Sequence, residues 1–231
     1  MNQQKTKYKM KNSNSIKLYL IVYNLIQTVS WSILLLRLIN HDSNVWNGKT
    51  SNLYQYVKWP LLFSHILTIL EIIHVVVNIV PSNIITTIMQ VCLRGSVACI
   101  IIPMSIAAQN SIGLPIALHA WAVAEVTRYS YYTFNLLGFV PYLLTWLRYS
   151  VFIVAYPVGA MGELICIYVT QKQLNETNIS NSSNVSTVYR YILYVSTILL
   201  IPVFPKLYMH MLKQRRKVLG KQTASTDTKN K

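Results

Sequence analysis

The sequence predicts an all-α integral membrane protein, with six transmembrane helices in a bundle around an enclosed polar site. Three observations predict it. Of 231 residues, 53% are hydrophobic, and mean hydropathy is +0.36, above that of an ordinary soluble domain. The apolar residues fall into runs of roughly 20, the length that crosses a hydrocarbon core. Most of the basic residues sit at the chain ends, while three carboxylates and three arginines fall inside those runs.

The formal net charge of +15 raises the possibility of a nucleic acid partner, but such a partner needs basic residues spread over a water-exposed face. Here 13 of the 21 Lys and Arg lie within Met1 to Lys17 or Lys206 to Lys231, so nucleic acid is not the expected partner. Residues 1–15 are lysine-rich and almost free of large apolar groups, which predicts a disordered basic cytosolic tail. Residues 16–207 form the membrane domain, and 208–231 a second basic cytosolic tail. Cys92, Cys99 and Cys166 all lie in apolar runs, with neither an even disulfide framework nor metal-binding spacing. None is followed six residues later by Arg, so the Cys-x5-Arg loop of tyrosine phosphatases is absent.

The first span is Ile16 to Leu36, too long for a signal-peptide core and without a small-residue cleavage site. Five more are placed at about 57–80, 83–106, 112–137, 141–169 and 187–205. Pro81, the stretch Gln109 to Gly113, and Gly138 to Pro141 mark tight connections between antiparallel neighbours. An even number of spans puts both basic tails on the cytosolic side, as the positive-inside rule requires. The segment from Gln171 to Ser186 then faces the lumen, and it holds every N-x-[ST] acceptor of the chain: Asn175, Asn178, Asn181 and Asn184.

Three of the six acidic residues, Glu71, Glu125 and Glu163, fall in these spans, as do Arg94, Arg128 and Arg148. Each such group costs roughly 2.5 to 3.5 kcal/mol at bilayer depth on insertion scales, so together they imply a polar interior. His65, Glu71 and His74 in the second span have no zincin spacing, and intramembrane hydrogen bonding is the better reading than a metal site. Arg94 is an expected carboxylate partner. In the fourth span Trp121, Glu125, Arg128 and Tyr132 recur at helical spacing on one face. Two accounts remain open there: an ion pair that stabilises packing, or Arg128 and Tyr129 holding an anionic or hydrogen-bonding substrate group.

In the fifth span Tyr149, Tyr156 and Glu163 are seven apart and share a stripe, with Arg148 beside Tyr149. Pro157 deprives the Ile153 carbonyl of its helical donor and is expected to kink the helix. Gly159 and Gly162 allow a backbone or ligand to come close. A phenol and a carboxyl group on one face make an acid/base pair.

These residues resemble the 3-hydroxyacyl-CoA dehydratase family, the third enzyme of very-long-chain fatty acid elongation. The resemblance lies in Leu70 to His74, Val80-Pro81-Ser82, Met89-Gln90-Val91 with Arg94, and Trp121 to Leu136. It continues through Pro141-Tyr142, Arg148-Tyr149, Tyr156 to Gly159, Gly162 to Leu164 and Phe204 to Arg216, covering about 16–219. It implies a six-span protein of the endoplasmic reticulum membrane, a hydro-lyase that converts a (3R)-3-hydroxyacyl-CoA into the trans-2-enoyl-CoA. The family's catalytic Tyr and Glu fall on Tyr156 and Glu163. It implies no metal or organic cofactor, and as partners the condensing enzyme, the ketoreductase and the enoyl reductase of the cycle.

Dehydration needs a base for the C2 proton and an acid for the C3 hydroxyl. Unperturbed pKa values of about 10 for Tyr and about 4.3 for Glu favour Glu163 as base and Tyr156 as donor. Removal from water favours an uncharged carboxyl, which leaves the reverse assignment open. The two side chains are separated by roughly 10 Å along the axis, so C2 and C3 must lie between them. Arg128, Arg148 and the basic C-terminal segment are the candidates for the CoA phosphates. The chain end, Asp227 to Lys231, does not complete a dilysine retrieval signal. A reading from another class is a catalytically silent membrane scaffold for the elongation enzymes. A transporter is a third, disfavoured by the lack of an inverted repeat.

Overall fold

The computed structural model describes residues 14–48, 52–176 and 184–227, and these are helical without a strand. The tail before position 14 lies outside them. Helix α1 is Asn14–Trp46, α2 Leu53–Val76 and α3 Ile84–Ser96, which continues through a π turn at Val97–Ile101 into α4, Ile102–Met104. A short α5, Ile106–Gln109, leads to α6, Gly113–Leu137. Then come α7, Tyr142–Ser150, α8, Phe152–Glu176, and α9, Asn184–Asp227. Among the described residues four segments are long and apolar enough to cross a membrane: Asn14–Trp46, Leu53–Val76, Ile84–Met104 and Tyr142–Glu176.

Local chemistry sets the boundaries. The Asn52 and Asn83 side chains cap α2 and α3, Asn83 accepting from the backbone N–H of Ile85 at 2.9 Å. Gly138, at φ 89°, ends α6 in the left-handed conformation that favours glycine. Pro60 lies inside α2 and leaves the Tyr56 carbonyl without a helical donor. Arg37 of α1 fills that gap, donating to it at 2.8 Å.

Three expected boundaries shift. Helix α1 runs ten residues past Leu36, because Leu38 is fully buried and Asp42 reaches His119 of α6 at 2.9 Å. The fifth segment is not one helix but two, α7 and α8, separated at Val151, whose carbonyl accepts from both Val154 and Ala155. The last helix continues through the basic segment as far as Asp227.

The core sits where α1, α6 and α8 meet, and its largest fully buried side chains include Trp31, Trp121 and Tyr129. Apolar side chains such as Leu18, Ile66, Val154 and Ile198 face outward, as helices in lipid require. At the crossing of α6 and α8, Gly162 lies directly against Gly113 and Ala117. A Cβ on Gly162 would fall 2.5 Å from the Ala117 nitrogen and 2.8 Å from the Gly113 oxygen. Small residues spaced like this let membrane helices approach backbone to backbone.

Candidate active site

A cavity of about 600 Å³ runs between α1, α2, α3, α6, α8 and α9. Its lining includes exposed Ser82, Gln90, Asn135 and Gln214, so the cavity reaches the protein surface there. Deeper in, its wall carries Glu71, Arg94, Glu125, Arg128, Tyr156, His65 and Trp31.

The buried charges form one neutral network. Arg94 donates to Glu125, and Arg128 Nε donates to the other oxygen of Glu125 at 2.7 Å. The same guanidinium grips Glu71 with two further nitrogens, at 3.0 and 2.8 Å, and the Tyr129 hydroxyl also donates to Glu71. Gln27 of α1 donates to that hydroxyl at 3.1 Å. Two cations are thus balanced by two carboxylates, and a bidentate guanidinium is the geometry that makes such a pair strong. Of the two accounts open for Arg128 and Tyr129, the geometry favours the ion pair, since both side chains are taken up within the bundle.

The histidines separate. His74 shares a hydrogen bond of 2.8 Å with the Tyr19 hydroxyl of α1, whereas His65 Nδ1 turns back to the Leu61 carbonyl of its own helix. Arg148 donates to the Tyr132 hydroxyl at 3.3 Å, lies over the Tyr132 and Tyr149 rings, and has no carboxylate partner among the described residues. It therefore keeps its charge available on the cavity wall.

Tyr156 and Glu163 lie on α8, one helical turn and three turns from its start. Glu163 is buried, and its carboxylate accepts from the Trp121 indole N–H at 2.8 Å. Among the described residues it has no cationic partner, unlike Glu71 and Glu125. The Gly162 crossing brings Trp121 of α6 within this reach, and Gly159 lies open toward the same indole. Tyr156 lines the cavity, and its hydroxyl has no hydrogen-bond partner among the described residues. Tyr149 does not share this wall. Tyr149 packs edge-on against Tyr131 of α6, with centroids 5.9 Å apart.

Residues not singled out as site residues hold Tyr156 in place. Phe204 of α9 stacks on its ring at 4.9 Å, and Tyr208, one turn further along, lies nearly parallel at 6.2 Å. The last span is expected to end at about 205, with Tyr208 in the basic tail; two aromatics four apart, continuing the helical spacing, were the available signal. Met211 and Gln214 extend the same helix along the cavity wall, so the basic segment forms part of the site. Of the possible glycosylation residues, Asn178 and Asn181 lie outside the described residues. Asn175 is exposed and accepts from Arg190 at 3.3 Å, and Asn184 opens α9.

Residues 65–221 match the family model described as protein tyrosine phosphatase-like protein, PTPLA. Among curated relatives, the dog protein named very-long-chain (3R)-3-hydroxyacyl-CoA dehydratase 1 is 38% identical over 206 residues, covering 87% of this chain and 82% of its own. The human protein named dehydratase 2 of the same series is 37% identical, covering 87% of this chain and 81% of its own. The Caenorhabditis elegans protein named very-long-chain (3R)-3-hydroxyacyl-CoA dehydratase hpo-8 is also 37% identical, covering 89% and 96%. No solved structure matches.

Proposed function

The chain belongs to the protein tyrosine phosphatase-like (PTPLA) family, and on that premise we propose that it is a very-long-chain (3R)-3-hydroxyacyl-CoA dehydratase, a hydro-lyase of fatty acid elongation. One observation in the structure carries the reading: Glu163 is the buried carboxylate left out of the ion network, set two turns from a phenol with a free hydroxyl. A carboxylate committed to an arginine is poorly placed to take a proton. One held by an indole N–H alone keeps lone pairs for the substrate.

In the proposed reaction Glu163 takes the proton from C2 of the hydroxyacyl thioester. The electron pair of that bond forms the C2–C3 double bond, the C3–O bond breaks, and Tyr156 protonates the departing oxygen. Water and the trans-2-enoyl-CoA leave. Tyr156 lines the cavity and Glu163 lies two turns further along α8, buried and outside the lining, so the reaction needs C2 and C3 to come to rest between the two side chains. Arg148, which has no carboxylate partner among the described residues, lines the cavity, and it and the basic C-terminal segment are the groups offered to the CoA phosphates. Arg128 is left out of that assignment because Glu71 and Glu125 hold it.

The membrane arrangement consistent with this is six spans, with α6 and the first half of α9 crossing in addition to the four most apolar segments. Both termini and the cavity mouth then face the cytosol, at the membrane of the endoplasmic reticulum. There the condensing enzyme, the ketoreductase and the enoyl reductase of the cycle are the expected partners. The test is a dehydratase assay on purified protein across acyl lengths. Water loss by the unmutated chain and none by Tyr156→Phe supports the reading; no turnover of any 3-hydroxyacyl-CoA by the unmutated chain sinks it.

A further inference from the structure

Among the described residues, two buried side chains that line the cavity each carry a polar atom without a partner, and the two atoms are complementary. His65 points Nδ1 at the Leu61 carbonyl at 2.9 Å. A carbonyl only accepts, so Nδ1 carries the hydrogen and Nε2 of the uncharged ring is an acceptor. That nitrogen lies on the side of the ring turned away from α2, and nothing donates to it. Trp31 of α1 packs against the same ring with centroids 5.3 Å apart. Its indole Nε1–H can only donate, and it too is unpartnered.

Both side chains are buried, with His65 at 5% exposure and Trp31 at 1%, and both line the cavity that Tyr156 lines. A buried donor or acceptor left unmade is costly, so a neighbouring pair of opposite type marks a place where a ligand supplies the missing halves. An anion would serve the indole but meet the lone pair of Nε2. A carbonyl or ether oxygen can accept but cannot donate. A hydroxyl group does both with one oxygen.

The place also fits. His65 faces Trp121 with centroids 5.5 Å apart, and Trp121 is the donor to Glu163. His65 therefore sits one ring away from the carboxylate of the proposed acid/base pair, with Trp31 on its other contact.

We infer that Trp31 and His65 form a hydroxyl-recognition subsite that holds the C3 hydroxyl of the bound thioester and, after elimination, the water it becomes. This rests on the dehydratase reading above. The hydroxyl donates to His65 Nε2 and accepts from Trp31 Nε1–H, while the proton it gains on leaving comes from the acid of the pair. Trp31 and His65 exchange no proton and are positioning residues. Because the enoyl product has no hydroxyl, the subsite binds substrate in preference to product.

The test measures dissociation constants of full-length protein for a 3-hydroxyacyl-CoA and the matching trans-2-enoyl-CoA, in a Tyr156→Phe background that prevents turnover. The hydroxyacyl ligand should bind tighter. Adding His65→Phe or Trp31→Phe should cut that preference about tenfold, the worth of one well-made hydrogen bond, and leave enoyl affinity within about twofold. His65→Gln, which puts an amide acceptor near the lost Nε2, should restore part of it. A preference unchanged in both variants overturns the inference, as does equal weakening of both ligands, which would mean a packing role or a site for water alone. Water loss by the otherwise unmutated chain alongside an unchanged preference would fail the subsite only; no water loss at all would fail the dehydratase reading itself.

Discussion

The phenol of Tyr208 on α9 donates to the carbonyl oxygen of Ile153 on α8 at 3.4 Å. Ile153 is four residues before Pro157, whose ring nitrogen has no hydrogen to offer that carbonyl. A side chain from another helix thus fills the gap a proline opens. The same Tyr208 ring lies within 12° of parallel to Tyr156, with Phe204 stacked on both, so the bond also fixes the wall against which the Tyr156 phenol rests.

Tyr208→Phe removes this bond and keeps the stack. Hydrogen bonds of this kind are worth about 0.6 to 1.5 kcal/mol, which corresponds to a fall in kcat of about three- to tenfold if the bond holds Tyr156 in its reactive pose. KM should change little, and thermal stability in detergent should drop only slightly. Tyr208→Leu, which also removes the ring, should lose more in kcat. Steady-state kinetics of the two variants side by side checks this, and full activity in both would show that α9 does not position Tyr156.

Tyr156→Phe and Glu163→Gln each delete one partner of the proposed proton transfers. General acid–base catalysis contributes about 100- to 10,000-fold, so each variant should lose at least about 100-fold in kcat while still binding enoyl-CoA. The double variant should lose little more than the worse single one, since groups acting as a unit are not additive. Single-turnover assays with matched amounts of folded protein measure this.

Gly162→Ala and Gly159→Ala make an informative pair. At Gly162 the added methyl would lie 2.5 Å from the Ala117 nitrogen, so α6 and α8 must separate and Trp121 must retreat from Glu163. At Gly159 it would meet the Ala120 Cβ at 3.4 Å and the Trp121 ring at 3.6 Å, which is ordinary contact. Gly162→Ala should lower both the melting temperature and the activity, whereas Gly159→Ala should leave the melting temperature close to that of the unmutated protein.

Much of this site could be read from the chain, and the unread parts share a cause. Burying a charge in an apolar run is expensive, so Glu71, Arg94, Glu125, Arg128 and Glu163 announced a polar interior on their own. The i, i+3 spacing of Glu125 and Arg128 announced their pairing. Helical periodicity gives the face of a residue but not which helix comes opposite. The grip of Arg128 on Glu71, 57 positions away, and the stacking of Phe204 on Tyr156 depend on that. The division at Val151 carries no proline or glycine of its own, and the packing of Tyr149 against Tyr131 likewise depends on which helix lies opposite.

The Glu125–Arg128–Glu71 cluster should matter for folding more than for turnover. Arg128→Met leaves two carboxylates facing each other in the bundle with only Arg94 to balance them, and breaking a buried pair in this way costs about 3 to 5 kcal/mol. The expected result is a protein that fails to yield a monodisperse peak in detergent. Arg128→Lys keeps the charge but cannot grip Glu71 at two points while also reaching Glu125, so it should fold with a lowered melting temperature. Arg128→Met combined with Glu71→Gln removes one charge of each sign and should recover most of the yield. Size-exclusion profiles of the three variants decide the matter: a well-folded Arg128→Met protein that had lost only substrate affinity would instead place Arg128 in the binding of the thioester.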